Sequence, residues 1–243
     1  MISPAPDAEG PDRTPRGRAD LAEAPPPAQF ADCSISTGEH NEGPATSMKV
    51  SVLVVTYNHE NFIAQALNSV LAQKVEFDYE VLVSEDRSTD RTRDIVTEFH
   101  QRYPDRIRLI LSEHNLNSNE VVGRGIRAAK GQYVALLDGD DYWTSEHKLQ
   151  RQAQFLDSHP DCAMCFHNAV VVYEDGSREP RNWTPPQQKE FSTLEDIWMG
   201  NFIATCSTMF PCPTTFPLAS RDTCPDTNRR SPARTTCVYP CVA

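Results

Sequence analysis

Acidic side chains follow two apolar segments of the sequence, in a pattern that suits the binding of a cation and a phosphate ligand. Asp138, Asp140 and Asp141 come directly after the apolar run 132–137, and Asp86 follows a second such run. Carboxylates gathered at one edge repel one another unless a cation or a ligand rich in hydrogen-bond donors offsets their charge. Mg²⁺ and Mn²⁺ take oxygen ligands and can bridge two phosphates. These residues therefore predict a divalent-cation site for a phosphate-containing ligand.

A surface turn is the alternative explanation for the segment 138–141, because Asp and Gly are common turn residues. Two large aromatic residues, Tyr142 and Trp143, follow this segment directly, and a plain surface turn seldom exposes both. The sequence therefore favours ligand binding at 138–141. Asp86 alone is explained about as well by capping of the following helix, so both explanations stay open for it.

Other titratable residues are interpreted as structural. We expect His59 and Glu60 in a solvated loop or at a helix start, and His167 in the core with its polar atoms satisfied. Cys162 and Cys165 have the CxxC spacing, but they lie inside an apolar run without a second CxxC, which disfavours a zinc or redox role. No secretory signal is recognisable, so the eight cysteines are expected to carry free thiols.

The apolar residues around the acidic positions form alternating strand-like and helix-like segments from Met48 onward. Four short runs have the composition of strands buried on both faces; they cover residues 49–56, 79–84, 107–111 and 132–137. A stretch with helical spacing follows each of the first three runs. Repeated βα units predict a parallel, right-handed sheet with helices on both faces. Ligands bind at the carboxyl ends of such strands, where the acidic residues fall.

The pattern continues beyond the acidic segment. Residues 145–158 are amphipathic and predict a helix, the apolar run 162–173 predicts a fifth strand, and a capping box at 192–195 predicts a short helix that ends near Gly200. Every periodic signal stops beyond Phe210.

Composition divides the chain into three parts. Residues 1–47 are rich in Pro, Ala, Asp, Glu and Gly and have few spaced apolar residues, so they are predicted to be disordered. Residues 48–210 form the predicted α/β domain. The segment 211–243 is an irregular Pro- and Cys-rich tail, and the abrupt change of composition suggests a truncation or a frameshift.

The overall charge excludes one class of partner. The formal net charge is −11, whereas nucleic-acid binding needs clustered Lys and Arg. No apolar stretch is long enough to span a membrane, and no secretory signal is recognisable. We therefore expect a cytoplasmic location, with association at the inner face of the membrane as an open alternative.

Three motifs give the sequence a resemblance to a known family. Val-Ser-Val-Leu-Val-Val-Thr-Tyr-Asn at 50–58, Ser-Glu-Asp-Arg-Ser-Thr-Asp at 84–90 and Leu-Asp-Gly-Asp-Asp-Tyr-Trp at 137–143 resemble, in this order and spacing, the family 2 glycosyltransferases. The resemblance implies a GT-A fold, which is a Rossmann-like, mostly parallel sheet with helices on both faces. It extends to Gly200-Asn201-Phe202-Ile203, and the tail beyond 210 departs from it.

The resemblance implies a nucleotide-sugar pocket. Asp86 would hydrogen-bond the base, and Val55 and Tyr57 would line the base pocket. Two positions depart from the usual pattern, with Glu85 where Asp is common and Arg87 where Gly is common. Glu85 keeps the charge, while Arg87 is expected to alter the backbone of the loop.

The same resemblance implies roles for the acidic segment. Asp138 would lie toward the sugar and Asp140 near the ribose and the metal. Asp141, which ends the DXD-type metal-binding motif, would bind Mn²⁺ or Mg²⁺ together with Asp140.

The implied reaction is inverting transfer of a sugar from a nucleotide-diphosphate sugar, with a UDP-sugar favoured. The acceptor would be a saccharide or a lipid-linked saccharide in cell-surface polysaccharide biosynthesis. Members of the family use an acceptor-side carboxylate as the base. Asp222 and Asp226 are the only acidic residues beyond Phe210, and neither is assigned this role, so the catalytic base is unknown.

Three other functions were weighed against sugar transfer. A fragment that binds the sugar donor but is inactive is the main alternative, and a nucleotidyltransferase also uses acidic residues and a metal on an α/β sheet. A nicotinamide oxidoreductase is disfavoured because the first βα turn, residues 56–60, lacks closely spaced glycines.

Overall fold

Four βα units build the centre of the fold in the computed structural model, which describes residues 48–214 and 236–237. The predicted disorder of residues 1–47 and most of the predicted tail 211–243 lie outside the described residues. The strands of the main sheet are β1 (Val50–Thr56), β2 (Tyr79–Glu85), β3 (Ile107–Leu111), β4 (Tyr133–Asp138) and β8 (Met209–Pro211). The longer helices are α1 (Ile63–Leu71), α2 (Thr92–Arg102), α3 (Glu120–Ala128) and α4 (Lys148–Ser158).

The main sheet has the strand order β3-β2-β1-β4-β8. Its first four strands are parallel, and β8 pairs antiparallel with β4 at the edge. The expectation of a mostly parallel sheet built from βα units is therefore confirmed. The carboxyl ends of β2, β1 and β4 therefore lie side by side, with β1 in the middle.

Helices cover both faces of the sheet, as expected. Val52 faces one core cluster, to which α1, α2 and α4 contribute apolar side chains, and Leu53 faces a second cluster with α3. The two clusters follow from the alternation of side chains along a strand. Gly125 lets α3 approach closely, because a Cβ there would lie 2.3 Å from Cδ1 of Leu53.

Shorter elements follow α4. They are β5 (Val170–Val171), β6 (Arg181–Asn182), β7 (Phe191–Ser192), α5 (Leu194–Met199), a single 3₁₀ turn at Thr205–Ser207 and β9 (Thr236–Cys237). β5 pairs with β6, and β7 pairs with β9, in two separate two-stranded sheets. No helix among the described residues is long and apolar enough to cross a bilayer.

The predicted fifth strand at 162–173 is wrong for most of its length. Only β5 is a strand there, and Cys165 makes one isolated bridge to Met209. The edge of β4 is taken by β8 instead. Cys162, Cys165 and Phe166 are nevertheless buried, whereas Val170 and Val172 are exposed, so only the first part of this apolar run packs in the core.

The cysteines only partly match the expectation of free thiols. Cys165, Cys206 and Cys212 carry thiols, as expected, whereas Cys162 is disulfide-bonded. Cys162 and Cys165 are therefore not joined to each other. Disulfide formation depends on which side chains the fold brings within bonding distance, and spacing along the chain does not reveal this.

Candidate functional site

The ends of three neighbouring strands bring the predicted site residues together. Tyr57 follows β1, Asp86 follows β2, and Asp138 is the last residue of β4. The register places Val55 of β1 opposite Asp138. Because parallel strands point the same way, their carboxyl ends form a single edge where loops converge. The sequence-based placement of the acidic residues at one sheet edge is thus confirmed.

A cavity of about 630 Å³ opens beside Tyr57 and Asp86. The loop between β3 and α3 supplies the rest of its lining, through Asn115, Asn117, Ser118 and Asn119. Sequence reasoning missed these four residues, although the run of polar residues between two regular elements was a usable signal. Their amides and hydroxyl both donate and accept hydrogen bonds, so the cavity wall is suited to a polar, planar ligand.

Asp86 is buried, and hydrogen bonds fix it at the start of the loop that follows β2. Its backbone N–H donates to Thr56 O at 3.0 Å, and its Oδ1 accepts from the N–H of Leu116 at 2.9 Å. The capping explanation is not supported, because Asp90 instead accepts from Thr92 N–H at the start of α2. Val55, by contrast, packs partly buried against the second core cluster with α3, and its place at the base pocket stays a prediction.

The acidic segment after β4 is crowded. Burial, together with the charges of Asp141 and Asp140, raises the pKa of Asp138 to about 6. Burial also raises the pKa of Asp141, against the opposing effect of a hydrogen bond from the Cys206 thiol. Burial and neighbouring carboxylates that raise a pKa in this way mark a place where added positive charge is favoured.

His59 lies at the start of α1, as one of its two interpretations expected, and its backbone oxygen accepts from the N–H of Ile63 at 2.9 Å. Its side chain also lies against this acidic segment, which the sequence did not predict. Its Nε2 is 3.9 Å from Oδ2 of Asp140, and its Nδ1 is 3.2 Å from Oγ1 of Thr56. The residue at 139 must be glycine here, because a Cβ would lie 2.5 Å from Thr56 Oγ1 and 2.7 Å from His59 Nδ1. The contact joins the loop after β1 to the loop after β4, which sequence spacing alone does not reveal.

A divalent cation fits this site only together with the phosphates of a bound ligand. Within residues 48–214, no group of three or more His, Cys, Asp and Glu side chains is arranged to hold a metal ion. Mg²⁺, however, is commonly held by one or two carboxylates together with substrate phosphates. The oxygen ligands of Asp140 and Asp141 suit a hard cation that arrives with a diphosphate.

The comparison with protein families decides the identity of this domain. Residues 51–211 match the family model described as glycosyl transferase family 2. The chain belongs to this family.

Relatives and solved structures agree with the family. An uncharacterised protein of Mycobacterium tuberculosis is 37% identical over 161 residues, which is 66% of this chain and 46% of that protein. A putative teichuronic acid biosynthesis glycosyltransferase of Bacillus subtilis, TuaG, is 33% identical over 128 residues, or 53% of this chain and 49% of TuaG. The chain thus spans about half the length of the curated relatives it matches.

The crystal structure of Staphylococcus aureus TarS 1–349 in complex with UDP-GlcNAc superposes with a TM-score of 0.54 at 27% identity. The match covers 68% of this chain and 47% of that one. The expected GT-A fold is thereby confirmed for the family 2 domain.

Glu85 has a structural place in this family 2 domain and does not join the acidic group near Asp138. Its carboxylate is fully buried, pairs with Arg93 of α2 and accepts the backbone N–H of Ser88. Arg87 has φ 61°, the left-handed conformation that glycine adopts most easily. Arg87 therefore occupies a backbone conformation that is unfavourable for a residue with a Cβ, and the expected alteration of the loop stays a prediction.

Trp143 attaches the acidic segment 138–141 to the rest of the fold, so this segment is more than a surface turn. The reason differs from the one drawn from the sequence, because only one of the two aromatic residues is exposed. Tyr142 is exposed, but Trp143 is buried, and its Nε1–H donates to Cys206 O at 2.8 Å. The Lys148 ammonium lies 4.1 Å from the centre of the Trp143 ring. Burial and the nearby carboxylate of Asp141 raise the pKa of the Cys206 thiol to about 12. The 3₁₀ turn before β8 is thus attached to the acidic segment.

His167 differs from the expectation of a satisfied core histidine. Its Nδ1 is 2.7 Å from Asn168 O, but within the described residues its buried Nε2 has no hydrogen-bond partner. Burial, together with the positive charge of Lys148, lowers the pKa of His167 to about 4. The apolar run predicted a buried position, but it does not reveal whether a polar partner is present.

Proposed function

We propose that this family 2 domain takes a sugar from a UDP-sugar and transfers it, with inversion, to a saccharide or lipid-linked acceptor. The observation that carries the proposal is the cavity at Tyr57 and Asp86, which lies at the same sheet edge as Asp138 and its acidic neighbours. A cavity for a base beside carboxylates for a cation matches the two ends of a nucleoside diphosphate.

Asp86 supports uracil as the base. A carboxylate that accepts one backbone N–H still has acceptor capacity, and the N3–H of uracil is a donor. The amides of Asn115 and Asn117, which line the same cavity, can donate to the uracil carbonyls. The TarS structures in complex with UDP and UDP-GlcNAc, which match 68% of this chain, support a uridine nucleotide as the ligand.

Asp140 and Asp141 would hold Mn²⁺ or Mg²⁺ together with the two phosphates. When bound, the cation supplies positive charge that offsets the charge on the departing diphosphate. Asp138, which is partly buried behind them, would lie toward the sugar. The crowding that raises the pKa of Asp138 to about 6 supports a site that receives positive charge.

The reaction is a single displacement at the anomeric carbon. The acceptor hydroxyl gives its proton to a base while its oxygen attacks from the face opposite the diphosphate. The bond from the anomeric carbon to the diphosphate oxygen breaks, and its electron pair leaves with the UDP. The teichuronic acid function in the name of TuaG supports a cell-surface polysaccharide as the product. The cytoplasmic location and any association with the inner face of the membrane stay predictions.

Donor binding without sugar transfer is a second candidate function. The described residues of the site all belong to the side that would hold the sugar donor, and none of their carboxylates is assigned as the acceptor-side base. Assays of UDP-sugar hydrolysis and transfer separate the two candidates, because a binding-only protein releases no UDP.

Calorimetric titration of the full chain with UDP in the presence of Mn²⁺ tests the proposal. We expect saturable binding that requires Mn²⁺ and is lost when both Asp140→Ala and Asp141→Ala are introduced. The matched control is Glu174→Ala with Asp175→Ala, which removes two exposed carboxylates from a turn and leaves UDP binding intact. Equal affinity of the wild type and the Asp140→Ala, Asp141→Ala variant rules the proposal out.

A further inference from the structure

Two loops hold the residues that flank the cavity. The first loop, residues 57–62, follows β1 and begins with Tyr57; the second loop, residues 86–91, follows β2 and begins with Asp86. In each of these two loops, the residue that faces the cavity is therefore the first residue of the loop. Their positions depend on what holds the two loops.

Asn58 and the second loop exchange a reciprocal pair of hydrogen bonds. The backbone N–H of Asn58 donates to Ser88 Oγ at 3.0 Å, and the backbone N–H of Thr89 donates to Asn58 Oδ1 at 2.8 Å. The Thr89 hydroxyl also contacts Asn58 Oδ1 at 3.2 Å. A side chain of each loop thus satisfies the backbone of the other.

Glu60 repeats this arrangement two residues further along. The backbone N–H of Glu60 donates to Asp90 Oδ2 at 3.0 Å, and the backbone N–H of Arg91 donates to Glu60 Oε2 at 3.0 Å. Between the two pairs, the backbone N–H of His59 donates to Thr92 Oγ1 at 2.8 Å. We call these five backbone-to-side-chain bonds, which involve residues from Asn58 to Thr92, the loop clamp.

The backbone of both loops needs such support. Asn58 has φ 55° and Arg87 has φ 61°, and each lies next to a residue that faces the cavity. Left-handed backbone is unfavourable for residues other than glycine and persists only where surrounding contacts fix it. Asn tolerates this conformation better than most residues, whereas Arg87 depends on its neighbours.

We propose that Asn58 and Glu60 are positioning residues, which hold Tyr57 and Asp86 in the geometry that receives the nucleotide before it binds. This inference rests on the proposed function for its ligand, but not for the loop geometry. Asn58 and Glu60 are exposed and do not line the cavity, so they act through the loops. If the competent loop geometry becomes less populated, the apparent dissociation constant rises in proportion.

Asn58→Gly tests the clamp without introducing backbone strain. Glycine tolerates the positive φ, and the substitution removes the oxygen that accepts from the N–H and the hydroxyl of Thr89. We expect the dissociation constant for UDP with Mn²⁺ to rise about fivefold, whereas Asn58→Asp, which keeps the acceptor, stays within about twofold of the wild type. Asp175→Ala is the control, since it removes an exposed acceptor of the Ser177 N–H, 2.9 Å away, far along the chain from the cavity.

Glu60→Ala and Glu60→Gln form an independent pair. The first removes the acceptor of the Arg91 N–H, and the second keeps an acceptor oxygen. Glu60→Ala is expected to weaken UDP binding by a factor similar to Asn58→Gly, and Glu60→Gln to restore it. Equal UDP affinity of the wild type, Asn58→Gly and Glu60→Ala overturns the inference.

Hydrogen exchange at Leu116 reports on Asp86 without any nucleotide, because the Leu116 N–H donates to Asp86 Oδ1. We expect this amide to exchange faster in Asn58→Gly and Glu60→Ala than in the wild type and in Asp175→Ala. If the wild type fails to bind UDP, the proposed function is contradicted. The rate of hydrogen exchange at the Leu116 amide then tests the loop clamp without the nucleotide. Unchanged exchange at Leu116 in both variants overturns the inference in that case.

Discussion

Asp86 accepts a hydrogen bond from the backbone N–H of Leu116 at 2.9 Å. This bond joins the end of β2 to the loop between β3 and α3, so the two walls of the cavity are fixed to each other. The carboxylate therefore has two tasks, one toward the loop and one toward the proposed base.

Substitution of Asp86 separates these tasks. Asp86→Asn keeps an oxygen that can accept from Leu116 but loses the charge, whereas Asp86→Ala loses both. We expect UDP affinity to fall about tenfold for Asp86→Asn and about a hundredfold for Asp86→Ala, since a hydrogen bond to a charged group contributes about 1.5–3 kcal/mol. Titration calorimetry measures both. Wild-type affinity in Asp86→Asn would show that the charge is not what the ligand needs, and equal losses in the two variants would show that the bond from Leu116 does not contribute to UDP binding.

Arg87→Gly is expected to stabilise the protein. The φ of 61° at Arg87 costs roughly 1–2 kcal/mol for a residue other than glycine. The greater conformational freedom of glycine in the unfolded chain lowers the free energy of unfolding by about 0.4–1 kcal/mol, which offsets part of this gain. We therefore expect a rise in Tm of roughly 2 °C, measured by circular dichroism. Asp105→Gly, at an exposed turn position with no positive φ, should lower Tm, and a fall for Arg87→Gly would refute the strain argument.

The central strands could be predicted from sequence to within a residue or so. Runs rich in apolar residues marked β1, β2 and β4, observed at Val50–Thr56, Tyr79–Glu85 and Tyr133–Asp138, because strands buried on both faces consist mostly of apolar residues. The run at 162–173 was apolar for a different reason, as Cys162, Cys165 and Phe166 are buried in the core and Cys165 bridges Met209 of β8. Apolar composition reports burial, whereas a strand also needs an open edge.

The site was predictable only where its residues follow a strand directly. Asp86 and Asp138 met that condition, and the sheet register brought them to one edge. His59 reaches Asp140 across two loops, and Glu85 turns to Arg93 of α2. Both contacts depend on how loops cross and on side-chain direction, for which a single sequence holds no signal.

His167 should make the protein sensitive to mild acid. The folded-state pKa of about 4 lies below the ordinary value of 6.5, so the unfolded chain binds more protons between these values. The contribution of neutral His167 to the free energy of unfolding is fully present above about pH 6.5 and is lost as pH falls toward about 4. The loss cannot exceed roughly 3 kcal/mol. Urea unfolding at about pH 7.5 and about pH 5 measures it. His167→Gln, which does not titrate, should lose about 2 kcal/mol less than the wild type between these two conditions. The same loss in both proteins would exclude His167 as the origin.

Gly139→Ala should damage the acidic segment more than its size suggests. The added Cβ would lie 2.5 Å from Thr56 Oγ1, 2.8 Å from Thr56 Cβ and 2.7 Å from His59 Nδ1. Because Thr56 Cβ belongs to the end of β1 and cannot swing away, the segment 138–141 must shift. We expect a loss of about 1–3 kcal/mol in the free energy of unfolding and weaker UDP binding in the presence of Mn²⁺. Gly200→Ala is the matched control, because nothing lies within 4 Å of a Cβ there. Wild-type stability and affinity in Gly139→Ala would mean that the contact between the loops after β1 and β4 is looser than its distances indicate. The contact between His59 and Asp140 would then be refuted as well.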